Sequence, residues 1–252
     1  MSESEVERIQ RLLFQALCNG SLNGDLGDVE ALLNTIDDVV NKGMKDSGAT
    51  PLFMASQNGH LQTARLLVSS KADVDKAKDD GATPLLVASY KGHVDIVRLL
   101  VSSKADVNKA MDDGATPLFM ASENGHVDIV IFLLQNKADI DKADFAGYTP
   151  LMIACERGHL DIVETLIEAG ANLFQKNDLG DTLSDVAKTD QIKQMIINHP
   201  WYRRRALIMM RPHADHVTNV EHGMTSLGCL LTAKEREDAV LFDLKKMIAS
   251  YL

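Results

Sequence analysis

One phrase governs what this chain can become. Thr-Pro-Leu occurs at Thr50, Thr83, Thr116 and Thr149, each 33 residues after the last, and a Gly-His pair follows each copy at Gly59-His60, Gly92-His93, Gly125-His126 and Gly158-His159. Self-similarity at a period of this size belongs to stacked units that bury their faces against one another, because no single unit is large enough to bury its own. A chain so constrained extends by repetition rather than closing around one core.

Each residue of the phrase has a mechanical reason. Thr places a hydroxyl where it caps a helix N-terminus, and Pro follows where its missing N–H is no loss and its φ is already helical. The short helix that begins there carries Leu52, Ala55 and Ser56, or Leu85, Ala88 and Ser89, a small-residue face suited to close stacking. Gly59 and its equivalents permit the turn into a second helix, whose apolar stripe is seen in Ile96, Val97, Leu99 and Leu100 and in Ile129, Val130, Leu133 and Leu134. After it come Lys71-Ala72-Asp73-Val74, Lys104-Ala105-Asp106-Val107, Lys137-Ala138-Asp139-Ile140 and Gly170-Ala171-Asn172-Leu173. The first residue of each quartet falls where a helix ends left-handed, which suits Gly170 and costs Lys71, Lys104 and Lys137 about 1 kcal/mol each.

These units resemble ankyrin repeats, whose signature is T-P-L-H-x-A at this period. The resemblance implies an all-α solenoid of stacked helix-turn-helix units with short β-hairpin finger loops and a non-repeat C-terminal tail. It divides the chain into an ankyrin repeat domain at 1–199 and an extension at 200–252 that packs on the last repeat or docks elsewhere. Within the domain fall a degenerate N-terminal cap repeat at 5–46, repeats at 47–79, 80–112, 113–145 and 146–178, and a C-terminal cap at 179–199. One departure is consistent: the histidine after Thr-Pro-Leu is replaced by Phe53, Leu86, Phe119 and Met152, so apolar volume stands where the family has a polar link.

The ends are read in the same way. Ser4-Glu5-Val6-Glu7 has the form of a capping box, and a helix with Ile9, Leu12, Leu13, Ala16 and Leu17 on one stripe follows it, with Cys18-Asn19-Gly20 as its expected end. Gly27 to Leu33 then restores the repeat pattern after a polar insert from Ser21 to Leu26. At the other end Thr182-Leu183 falls on register without its proline, and the second helix around Ile192 to Ile197 lacks the Gly-His pair. Beyond Trp201 the period is gone.

Composition excludes several classes. The formal charge is −10, with the acidic excess carried by residues 1–199, so a phosphate backbone is repelled and nucleic-acid binding is disfavoured except through the tail. The three cysteines, Cys18, Cys155 and Cys229, are far apart and suggest neither a disulfide framework nor a metal knuckle. The acidic N-terminus lacks a leader pattern and no run is long enough to span a bilayer, which points to the cytoplasm, with the nucleus as the alternative. The histidines at 60, 93, 126 and 159 sit on successive units about 8–10 Å apart and are read as structural, not as ligands to a shared ion. His213, His216 and His222 with Cys229 fit no established zinc spacing. No nucleophile elbow or phosphate loop is present. Catalytic residues, a cofactor and a metal are therefore not expected.

Function is then sought where the copies differ, because stacked repeats hold core positions constant and vary exposed ones. Four residues before each Thr the series reads Asp46, Asp79, Asp112, Phe145, Asp178, and one residue before it Ala49, Ala82, Ala115, Tyr148, Asp181. Phe145 and Tyr148 thus put two aromatics on the fourth finger, and aromatics are favoured interface anchors. Lys78 and Met111 on the fingers, and Tyr90, Glu123, Glu156 and Arg157 on the short helices, are expected to complete a concave partner-binding face. Ankyrin repeats in general imply a non-catalytic scaffold binding a protein partner, here expected as a monomer.

Two other functions are kept beside that one. In the first, an adaptor, the tail recruits a second factor: the run from Val240 to Leu252 is faintly similar to the first helix of an F-box, which in its family recruits ubiquitin-ligase machinery. In the second, Arg203-Arg204-Arg205 or the histidines of the tail bind nucleic acid or metal.

Overall fold

The computed structural model describes residues 18–33 and 40–198. All readings that concern the first seventeen residues, and those from 199 on, lie outside the described residues. Among these are the arginines at 203–205, the histidines of the tail and the run from Val240 to Leu252.

The regular elements after residues 18–23, which are helical, are α1 (Leu26–Leu33), α2 (Pro51–Gln57), α3 (Leu61–Ser69), α4 (Pro84–Lys91), α5 (Val94–Ser102), α6 (Pro117–Glu123), α7 (Val127–Gln135), α8 (Pro150–Arg157), α9 (Leu160–Glu168), α10 (Leu183–Val186) and α11 (Asp190–Asn198). They form two layers. The short helices pack in sequence, α2 on α4, α4 on α6, α6 on α8 and α8 on α10, while α1, α3, α5, α7 and α9 do the same behind them. The short helices α2, α4, α6 and α8 also pack on their own partners, as α4 does on α5. The architecture is the all-α stack of paired helices expected from the period.

The start of each short helix follows the Thr-Pro reading. Thr50, Thr83, Thr116 and Thr149 are extended and buried, and their hydroxyls accept from the amides of Phe53, Leu86, Phe119 and Met152 at 3.1–3.2 Å. The last short helix lacks proline and uses a reciprocal device: Thr182 N–H donates to the Asp185 carboxylate at 2.8 Å, and the Thr182 hydroxyl to the same oxygen at 2.7 Å. Leu52, Leu85, Leu118 and Leu151, with Ala55, Ala88, Ala121 and Ala154, are wholly buried. Burying a leucine contributes roughly 1.5–3 kcal/mol, and alanine lets neighbouring backbones approach. Phe53, Leu86, Phe119 and Met152 are buried too, which is where the apolar volume replacing the family's histidine goes.

The left-handed ends are present. Lys71, Lys104 and Lys137 have φ of 65°, 69° and 67°, and Gly170 has 93°. Each lysine is exposed, so its long side chain meets solvent while the backbone bears the strain.

The N-terminal unit departs from the sequence reading. The helix does not end at Cys18-Asn19-Gly20 but runs through residue 23, and Gly24, with φ of 79°, makes the turn into α1. Gly20 faces Val29, where a Cβ would come within 2.9 Å of its side chain, so it serves close helix packing. Ser21 to Asn23 are therefore the last turn of that helix, not an insert, and Ser21 is wholly buried.

The fingers that link repeats are tight turns rather than extended ribbons. In the second, Lys78 N–H donates to Ala82 O and Gly81 N–H to Lys78 O, both at 2.9 Å; among the described residues no strand forms. One bond between the arms fixes a hairpin but does not make a ladder.

Candidate functional site

Two ladders hold the repeats in register and so place the fingers. In the first, His60, His93, His126 and His159 donate from Nε2 to the carbonyls of Leu22, Gln57, Tyr90 and Glu123, one unit back, at 2.8–3.1 Å. The glycines of the Gly-His pairs make room for them: a Cβ on Gly92 would lie 2.6 Å from His126 Cε1, and one on Gly59 2.8 Å from His93 Cε1. The pair in the sequence is thus matched across a junction, the glycine of one repeat facing the histidine of the next. In the second ladder, Asn41, Asp75, Asn108 and Asp141 accept through Oδ1 from the amides of Asp73, Asp106, Asp139 and Asn172 at 2.6–3.0 Å.

The fingers are joined directly. The amides of Asp79, Asp112, Phe145 and Asp178 donate to Ser47, Asp80, Asp113 and Ala146 on the preceding finger at 2.8–3.0 Å. Each of these residues stands over a left-handed glycine: Asp79 over Gly48, Asp112 over Gly81, Phe145 over Gly114 and Asp178 over Gly147. Phe145 therefore occupies a fixed station that elsewhere holds an aspartate.

The residues expected to form the partner face fall into separate groups. Phe145 is 76% exposed. Tyr148 and Met111, with Met120, pack half-buried against a cluster of Ala115, Phe119 and Ile153, so Tyr148 is part floor and only part surface. Lys78 pairs with Asp80 at 2.7 Å and lies 5.7 Å from the centre of the Phe53 ring. Tyr90 is 40% exposed, with the Lys91 ammonium 4.9 Å above its ring. Arg157 reaches Glu123 at 2.5 Å across a repeat junction, a bond that raises the guanidinium pKa, and Glu156 is exposed.

Leu179 was missed. It is 83% exposed on the finger next to Phe145, at a station held by Ser47, Asp80, Asp113 and Ala146 in the other units. Aligning that column, one residue after the tip, would have found it.

Among the described residues no group of side chains is arranged to hold a metal ion, and no helix is long and apolar enough to cross a membrane. The Cys18 and Cys155 thiols are buried, and burial pushes the pKa of each up to about 12, away from nucleophilic use.

A stack of helix pairs, locked by inter-repeat ladders and presenting a row of linked fingers, defines a repeat solenoid of the interaction class. The chain matches the family described as Ankyrin repeats (3 copies) over residues 13–111 and again over 103–177, and it belongs to that family. Ankyrin repeats are protein-interaction domains, and no catalytic domain is identified in the chain. No curated protein matches it.

Proposed function

We propose that the chain is a non-catalytic scaffold that holds a protein partner along its fingers and short helices, with Phe145 as the principal anchor. One observation carries the reading: a phenylalanine 76% exposed stands at a tip whose counterparts Asp79, Asp112 and Asp178 are polar. A large apolar side chain held out in water by a rigid hairpin loses little conformational freedom on binding, which is what an anchor requires. Tyr148, Met111 and the Glu123–Arg157 pair extend the surface from that tip toward the short helices.

The test is Phe145→Asp, which installs the residue the other tips already carry and so leaves the finger intact. Quantitative capture from cell extract should recover a partner with the wild-type chain and lose it with the variant at unchanged helical circular dichroism. Equal recovery by both proteins would remove Phe145 from the interface.

A further inference from the structure

We propose that Phe145 and Leu179 together form a two-finger anchor site for a basic peptide segment, clasping one large apolar side chain while flanking Lys or Arg residues meet Asp112, Asp113 and Asp178. The inference rests on Phe145 being a docking residue and adds a second hairpin and a partner chemistry.

The two residues stand on adjacent fingers that are joined directly through the backbone. Ala146 follows Phe145, Asp178 precedes Leu179, and the amide of Asp178 donates to the carbonyl of Ala146 at 3.0 Å, so a single hydrogen bond lies between the two apolar residues. They are 76% and 83% exposed. At the same two stations the second and third fingers carry Asp79-Asp80 and Asp112-Asp113. Only across the fourth and fifth fingers does the row of tips turn apolar, and Met111 and Tyr148 continue that character inward.

The charge around the pair is mostly acidic, because two of the nearby cations are engaged elsewhere. Lys109 and Lys142 turn back into the stack and donate to the carbonyls of Asp75 and Asn108 at 2.8 and 2.9 Å. Lys176 is exposed on the fifth finger and helps to lower the Asp185 carboxyl pKa. Asp112, Asp113 and Asp178 are exposed and take part in no ion pair among the described residues. A second copy of this chain would set those acids against themselves, and an anionic surface would be repelled; a cationic segment is attracted and steered.

The experiment is selection of a displayed library of random short peptides on the full-length protein, followed by anisotropy titration of the enriched peptides against wild type, Phe145→Asp and Leu179→Asp. Leu179→Asp places at the fifth finger what the second and third carry, and retained circular dichroism checks the fold. The inference expects enriched peptides with one large apolar residue flanked by Lys or Arg, binding about tenfold weaker to each variant and weaker still at raised salt. Peptides that lose binding to Phe145→Asp but not to Leu179→Asp, or that lack basic residues, overturn this inference and leave the Phe145 anchor standing. Peptides indifferent to both variants overturn both readings. Failure to enrich any peptide overturns the inference, as does a dimer in sedimentation that Leu179→Asp dissociates.

Discussion

Lys188 brings its ammonium to 3.2 Å from the carbonyl oxygen of Arg157 while its stem lies against Gly158, where a Cβ would come within 3.0 Å of the lysine Cδ. At the earlier junctions the same work falls to a histidine facing a glycine, so the last repeat keeps the contact while losing the Gly-His pair from its sequence. Lys188 N–H also donates to Cys155 O at 3.0 Å, which ties this end of the stack through the backbone.

That relationship gives a graded prediction. His126→Leu removes a bond to Tyr90 O in the middle of the stack and is expected to cost about 1 kcal/mol. Lys188→Met keeps the stem over Gly158 and the backbone bond, and is expected to cost less than half as much. Urea denaturation of the two variants checks the order, and equal losses would mean that the stem packing and backbone bond kept by Lys188→Met do not offset the lost side-chain bond.

The left-handed lysines give a second. Lys104→Gly relieves a residue at φ 69° and is expected to stabilise by about 1 kcal/mol or somewhat less, because glycine also gains freedom in the unfolded chain. For a protein of this size that is a rise in Tm of about 2–4 °C, read by differential scanning calorimetry. A replacement of all three lysines that shows no gain would refute the strain.

Asp185 gives a pH dependence. Hydrogen bonds from the Thr182 hydroxyl and amide, with Lys176 and Lys193 nearby, hold its carboxyl below the ordinary 3.8. A carboxyl lowered on folding stabilises above its unfolded value, and the contribution is lost as pH falls through the folded one. The residue is exposed, so the effect is modest. Asp185→Ala is expected to be less stable than wild type at pH 7, and the difference should shrink steadily below about pH 4. A constant difference across that range would mean that the loss does not come from the ionised carboxylate.

Cys155 predicts the opposite limb. Its thiol is pushed up to about 12 by burial against an ordinary 9.0, so the unfolded chain gives up this proton first and stability is lost as pH rises above 9. Cys155→Ala is expected to be less stable at pH 7 through the volume removed, yet to lose less further stability between pH 8 and 10. In the native protein the thiol should react with a maleimide only as fast as the stack opens, and prompt labelling would contradict its burial.

Much of this is legible in the chain alone because repetition turns single residues into columns. Thr-Pro at four equally spaced positions specified four helix starts, and each forms with its hydroxyl on the predicted amide. The lysines at the helix ends were placed left-handed by position, and all three are. Phe145 stood out as the one tip that is not an acid. The first unit was harder to read, since its period is broken and Gly20 and Gly24 carry equal weight in a sequence; only packing against Val29 and the reach of His60 to Leu22 O decide between them.

The sequence by itself determined the repeat, the register and the helix ends, because caps, prolines and left-handed positions act within a few residues of one another. Tertiary structure alone decided what happens across junctions: which glycine makes room for which histidine, that Lys188 stands in for one, that Tyr148 leans into the floor while Phe145 stays out, and that Leu179 is exposed on the next finger. Those outcomes depend on residues about 33 positions apart meeting in space, and they depend on which cations are turned back into the stack. A local pattern fixes the stations of a solenoid, and contact between its units settles what remains exposed for a partner.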